Sequence, residues 1–546
     1  VAIVRNPVIR GSAPDPCACV GHDGAVYIAV STFEWYPGVN IYRSTDLASW
    51  DLVAAPLART SMLDLSGESP SSGVWAPALS WADGKYWLLY TDTKNWHGEP
   101  KLGTPLRDQY NYLVTAERLD GPWSEPVFLT GGGYAPSLFH DDGGRKYFLY
   151  ARRDYRNAKE RLIEGIMLQE YDAAAGRLVG DAVPIYRGAN LPIDYFIKAQ
   201  IYEGPHIHKR GGWYYLVTAE GGVGSTHATC VSRSRDIRGP YELHPRTPFL
   251  TSAGKGSALR RVGHGNIFRG PDGRDYMAFL CSRPAPGSAE GRSPLGRETG
   301  ICPIEWKDDW PRIAGAAEGA ASPPESFETG LGGEARGAGG KGGTMDFGSL
   351  ARMPLGLRSL RSPFDPSWCS LNAERPGYLR LRGRESPVSR FRQSLAARRI
   401  EHFEFSVETE LEFDPASQYQ FAGLMLRYDE SAFYYLHVTR LPETGEKVVA
   451  YMEQVDGAFG HVGRITALPE AGSASLRAEC RAGVVRFSWG AGGAGWKDCG
   501  IEKDLGVLSD EAIHPIGFTG AHAAIAASDM LEYRAPADFK RFDYFA

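Results

Sequence analysis

Long hydrophobic runs are missing from this 546-residue chain, and so is any large excess of charge of one sign. No apolar stretch approaches the roughly 20 residues that a membrane-spanning helix needs. The formal net charge is −5, from 60 Lys and Arg against 65 Asp and Glu, and the pI is near 6.3. That balance exerts no global pull toward nucleic acid or an anionic membrane. Cysteine is scarce, with residues at 17, 19, 230, 281, 302, 369, 480 and 499 and no metal-ligand spacing among them. Cys17-Ala-Cys19 has a single intervening residue, too tight for the usual zinc pattern. Buried free thiols are the expectation, and a Cys480–Cys499 disulfide is the alternative that an oxidising compartment would allow. Neither a signal peptide nor an initiator Met opens the chain, which begins Val-Ala-Ile-Val-Arg-Asn-Pro. A removed leader, and so a secreted protein, is favoured over a cytoplasmic one.

What the chain does have is a repeat. Five copies of one phrase recur at roughly sixty-residue intervals over the first 300 or so residues. Each has an anchor beside Pro or Gly, an apolar stretch, a Gly-containing turn and an aromatic strand. The anchors are Asp15-Pro16, Trp75-Ala-Pro77, Tyr134-Ala135-Pro136, Glu203-Gly204-Pro205 and Gly263-His264-Gly265. The turns are Asp23-Gly24, Asp83-Gly84, Asp142-Gly143, Gly211-Gly212 and Asp272-Gly273. Strands inside a repeat of this length, with no helical period, predict an all-β chain beginning with a five-bladed β-propeller. The phrase also puts Asp15, Glu203 and His264 at matching points of successive blades, facing one centre.

The composition changes after Trp310-Pro311. From Ala314 to Gly343 the chain is dominated by Ala, Gly, Ser and Pro, which reads as a linker. Beyond it, His402 to Phe413 alternates apolar and charged residues, and Ala422–Tyr428 and Tyr434–Thr439 read as further short strands. That pattern predicts a β-sandwich, with the aromatic tail Pro536–Phe545 as a last strand on its core. The expected organisation is a propeller over 1–313, a linker over 314–343 and a sandwich over 344–546.

Alone, Asp15 would be a turn-capping residue held between two prolines. Glu203, at the corresponding point of another copy, changes its meaning. Two carboxylates across one pocket are the minimum equipment for glycoside hydrolysis, one ionised to activate water and one protonated to donate. Aromatic side chains nearby would give apolar faces to a sugar ring; Phe33, Trp35, Tyr36 and Trp75 are the candidates. Each taken singly reads equally well as core.

These residues carry a resemblance. Asn6-Pro-Val-Ile-Arg-Gly, Pro14-Asp15-Pro16, Ser31 to Gly38, Gly73 to Pro77, Pro136 to Asp142, Glu203 to His206, Gly263 to Gly265 and Pro294 to Thr299 together resemble glycoside hydrolase family 43. The likeness is to its two-domain branch of β-D-xylosidases and α-L-arabinofuranosidases, and it spans nearly the whole chain. It implies an inverting, exo-acting hydrolase that takes single pentoses from xylo- or arabinoxylo-oligosaccharides. Asp15 would be the general base, Glu203 the general acid, and His264 and Arg297 pocket residues. No cofactor is implied as required. A structural calcium in the propeller channel occurs in some relatives, but no acidic calcium loop is present here.

Three departures stand out. Where the family places a third acid, this chain has Ala135, which leaves a non-catalytic xylan- or arabinoxylan-binding protein as the second reading. The rim segments Tyr150 to Arg156 and Asn190 to Tyr202 differ from the xylosidase pattern. In the loop Phe518-Thr-Gly-Ala-His522, the position expected to place Phe against the site is His522.

Overall fold

The structure is a computed structural model and describes every residue except 1, 97–105, 158–162, 193–199, 255, 289–290, 317–320, 333–341, 456, 492–494 and 515. The Gly-containing turns do what the repeat demands: each joins the first two strands of an antiparallel sheet. The first sheet comprises Cys17–Val20, Val26–Val30, Asn40–Ser44 and Asp51–Ala54. The second comprises Gly73–Ala82, Lys85–Lys94, Asp108–Ala116 and Val127–Gly131. Gly133–His140, Lys146–Arg153, Ile163–Asp172 and Arg177–Tyr186 form the third. The fourth holds Tyr202–Arg210, Trp213–Glu220, Ala228–Ser234 and Glu242–Leu243, with Leu250–Thr251 also paired to its third strand. Arg260–Arg269, Asp275–Ser282, Arg297–Lys307 and Trp310–Ile313 make the fifth.

Second strands such as Lys85–Lys94 are buried almost from end to end, because both faces of each sheet are covered by neighbours. One apolar cluster joins the first and second sheets through Tyr27, Ile41, Leu79 and Tyr86. Another joins the fourth and fifth through Tyr215, Val217, Met277 and Phe279. A further cluster unites Val26 and Ile28 of the first sheet with Tyr276 and Ile301 of the fifth. The first strands of the sheets touch in chain order, and that of the fifth returns to that of the first. The N-terminal segment seals this return. Val8 N–H donates to Thr299 O at 2.8 Å, and Ala13 N–H donates to Arg297 O at 2.8 Å.

The stretch 314–343 is more than a tether. Ser326–Glu328 pairs with Ile3–Arg5, and the Asn6 amide donates to Pro324 O at 2.8 Å. The sequence offers no alternation there, since a three-residue strand is too short to show one. Residues 317–320 and 333–341 of this stretch lie outside the described residues.

Beyond it, two antiparallel sheets of seven and six strands face each other. Phe405–Phe413 alternates buried and half-buried positions without a break, turning Phe405, Val407, Leu411 and Phe413 inward. They meet Leu424, Leu426, Leu436 and Val438 from the six-stranded sheet. The tail Pro536–Phe545 is an interior strand of the seven-stranded sheet, paired on one side with Leu379–Arg382 and on the other with Phe405–Phe413. All eight cysteines are free thiols, so Cys480 and Cys499 form no disulfide. No helix among the described residues is long and apolar enough to cross a membrane.

Candidate active site

Residues in the left-handed region recur at the same point of all five copies of the repeat, just ahead of the first strand in the first sheet and within the first strand in the other four. These are Asp15 (φ 57), Ala76 (φ 40), Ala135 (φ 53), Gly204 (φ 56) and His264 (φ 51). In the second to fifth sheets the strand register shifts at this point, as a β-bulge does. The bulge turns the side chain out of the ladder and toward the ring centre. This corrects the sequence alignment of the repeat by one residue: Gly204, not Glu203, is the counterpart of Asp15 and His264. Gly204 is required there because a Cβ would come within 2.7 Å of His264 Nε2. The acid comes from the residue before it.

The bulges surround one pocket of about 550 Å³, its mouth included. Asp15, Phe33, Trp75, Ala135, Glu203, His264 and Arg297 all line it, as the sequence led us to expect. Asp15 is 8 % exposed, and the Ser31 hydroxyl donates to its Oδ2 at 2.6 Å. Arg297 Nη1 stands 3.4 Å and His264 Nδ1 3.6 Å from Asp15 Oδ1. Burial pushes the Asp15 carboxyl up, but Arg297, His264 and Ser31 together outweigh it and hold the pKa below the usual value. Glu203 is placed differently. Burial, reinforced by the negative charge of Asp15, raises it to about 7 against the hydrogen bond from Tyr134 and the charges of Arg297 and Arg153. The pocket thus contains one carboxyl that stays ionised and one that keeps its proton near neutrality.

Two expected residues are elsewhere. Trp35 and His522 stack on each other, ring centres 4.1 Å apart and planes at 22°, outside the pocket lining. The Trp35 indole donates to Thr519 Oγ1 at 3.0 Å, and the strand Trp35–Tyr36 pairs with Ser359–Leu360 of the second domain. The Trp35–His522 stack holds the two domains together and does not wall the pocket, and the fully buried Tyr36 ring packs within the first domain's own core. Burial lowers the His522 imidazole to about 3, so the stack remains uncharged.

The pocket position expected of that loop belongs to Phe518. Its ring lies 5.4 Å from Trp75, edge-on at 90°, and 6.3 Å from Phe33. Its carbonyl accepts from Arg297 Nη2 at 3.1 Å, and its N–H donates to Ser71 Oγ at 2.9 Å. The loop can come so close because Gly296 and Gly520 meet backbone to backbone: a Cβ on Gly296 would sit 3.0 Å from Gly520 Cα. From the same domain, Asp510 faces Arg297 Nε at 3.9 Å and Arg261 Nη1 at 2.9 Å. Trp96, Tyr134, Arg153, Ile201 and Val223 also line the pocket without having been singled out as site residues. Arg153 and Ile201 fall in the two rim segments that depart from the xylosidase pattern, which was the available signal; residues 193–199 of the second segment lie outside the described residues.

Ala135 is buried, and its N–H donates to Thr91 Oγ1 at 3.1 Å. It presents a methyl group where Asp15 presents a carboxylate. Among the described residues no group of three or more His, Cys, Asp or Glu could hold a metal ion. His264, beside Asp15 and crowded by Gly204, belongs to the pocket wall.

Comparison with known proteins decides the family. The model of glycosyl hydrolases family 43 matches residues 4–311, and that of the β-xylosidase C-terminal concanavalin A-like domain matches 344–545. The chain belongs to glycosyl hydrolase family 43. It is 40% identical to a xylosidase/arabinosidase of Humicola insolens, over 99% of this chain and 97% of that one. A β-xylosidase of Bacillus subtilis is 37% identical over 99% of both chains. The crystal structure of a xylan β-1,4-xylosidase from Bacillus halodurans superimposes with a TM-score of 0.91 at 39% identity, covering all of both chains. Family 43 members are inverting glycoside hydrolases, and this member is an all-β enzyme with a propeller-like catalytic domain and a C-terminal sandwich domain.

Proposed function

We propose that this family 43 hydrolase is an exo-acting pentosidase, releasing terminal β-D-xylose, α-L-arabinofuranose or both from xylan or arabinoxylan oligosaccharides. The observation that carries this reading is the opposed protonation of two carboxyls in one pocket. Asp15 takes a proton from a water as its oxygen attacks the anomeric carbon. The glycosidic C–O bond breaks, and the Glu203 proton passes to the leaving oxygen. Asp15 ends protonated and Glu203 ionised; exchange with solvent resets both, and no cofactor is needed. Inversion requires the two carboxyls roughly 6.5–9.5 Å apart, with room for that water.

Residues from all five sheets and one sandwich loop converge on the pocket, which supports binding of a single terminal unit. Phe33, Trp75 and Phe518 offer apolar faces to a sugar ring. The xylosidase and arabinosidase names of the relatives support the same substrates. In this reading, residues 1–313 are a five-bladed propeller, since five sheets touch cyclically, and 344–546 are a sandwich that completes the pocket through Phe518 and Asp510.

The test is hydrolysis of 4-nitrophenyl β-D-xylopyranoside, the corresponding α-L-arabinofuranoside and arabinoxylan oligosaccharides, with proton NMR of the first-formed sugar. Release of a pentose of inverted configuration is expected. Silence on all three substrates, in the chain and in Ala135→Asp alike, refutes the pentosidase and favours an oligosaccharide-binding protein.

A further inference from the structure

Arg153 ends the second strand of the third sheet and lines the pocket with Tyr134, Ala135 and Glu203. Its N–H donates to Gly132 O at 3.0 Å, tying it beside the strand that bears Ala135. Its guanidinium carbon lies 5.9 Å from the centre of the Tyr134 ring. Across the pocket, Arg297 has Asp15 and Asp510 within 4 Å. Among the described residues, no carboxylate pairs with Arg153. Arg153 is partly exposed, so its guanidinium is open to a ligand, and its planar fork matches a carboxylate in geometry and charge. The left-handed position of this sheet, whose counterpart in the first copy supplies a carboxylate, lines the same pocket with only the Ala135 methyl.

We propose that Arg153 and the space above Ala135 form a binding site for a carboxylate carried by a ligand, a claim that rests on the hydrolase reading above. The carboxylate forks onto Arg153 and stands in the pocket with Glu203, where Asp15, Trp96, Tyr134, His264 and Arg297 are the other residues with polar side-chain atoms. Two sources share this chemistry. One is a small free carboxylate such as formate. The other is a uronic acid on the oligosaccharide next to the scissile pentose. Either would place a negative charge next to the proton donor and disfavour its premature ionisation.

The test uses the full chain. Binding of carbon-13 formate is followed by NMR, and hydrolysis of 4-nitrophenyl β-D-xylopyranoside is measured in sodium formate against sodium chloride at equal ionic strength. In parallel, a xylose-terminated oligosaccharide bearing a uronic acid is compared with its neutral counterpart. Formate should bind saturably, and Arg153→Met should weaken that binding by about tenfold or more, as loss of a charged hydrogen-bonding partner does. Arg153→Lys, which keeps the charge, should weaken it less and guards against misfolding of the Met variant. Ala135→Asp should abolish binding by filling the space. A formate-driven rise in kcat of about tenfold assigns the site to a free anion; a similar preference for the acidic oligosaccharide assigns it to substrate. Formate binding that is absent, or equal in the chain and both Arg153 variants, overturns the proposal. So does turnover that responds in neither arm. If neither the chain nor Ala135→Asp hydrolyses any substrate, the pentosidase reading fails by itself, and formate binding alone decides the carboxylate site.

Discussion

At Asp15 and at Ala135 the backbone does the same thing: each residue is buried, left-handed, followed by Pro and turned into the same pocket. The side chains differ completely. Around Asp15 the protein builds a full set of partners in Ser31, His264 and Arg297. Around Ala135 it keeps only the backbone support, with Thr91 accepting from the Ala135 N–H and bonded in turn to Asn111 at 2.9 Å. The bulge is therefore a property of the fold, and chemistry is added to it position by position. Ala76 shows the bulge with no chemistry at all, and Gly204 shows it handing the acid to its neighbour Glu203.

Removing either carboxyl of the pocket should cost most. Asp15→Asn and Glu203→Gln should each lower kcat by about 10²- to 10⁴-fold in steady-state assays, with folding unchanged by circular dichroism. Adding to the third sheet what it lacks should have the next largest effect. Ala135→Asp should raise kcat by about 10²-fold, the scale of a well-placed acid–base partner. Trimming the contribution of the second domain ranks third. Phe518→Ala should lower kcat/KM by about tenfold, the worth of one aromatic contact, as measured with the best of the three substrates. Trp35→Ala should change turnover least, by less than about threefold, because the ring lies outside the pocket. It should instead destabilise the protein by about 3–5 kcal/mol in denaturant unfolding, the usual cost of deleting a large buried side chain.

Much of this was legible in the sequence because it is local. Asp-Gly turns and alternating strands report themselves within a few residues, and so does a carboxylate clamped between Pro14 and Pro16. The errors arose where the answer depends on distant chain. Trp35 looks like a sugar platform until Ser359–Leu360, more than 300 residues later, pairs with its strand. In the loop from Phe518 to His522, spacing alone does not tell which ring faces the pocket; the close meeting of Gly296 and Gly520 does. The one-residue shift at Glu203 was within reach of the sequence, since the Pro that follows Asp15, Ala76 and Ala135 follows Gly204 in the fourth copy; the left-handed φ and the bulge show why that register matters. Arg153 lies in a segment that stood out for its departure from the family pattern, but sequence cannot show that a guanidinium has no carboxylate partner among the described residues.

The comparison of Asp15 with Ala135 is tested most directly by the pH dependence of kcat/KM in the chain and in Ala135→Asp. Glu203, raised to about 7, must be protonated and Asp15, held low, must be ionised, so the chain should lose activity as pH rises through about 7. A new carboxylate beside Glu203 disfavours its ionised form. The account predicts that Ala135→Asp moves the alkaline limb to higher pH and raises the plateau. An alkaline limb and a plateau both unchanged by the new carboxylate would contradict it.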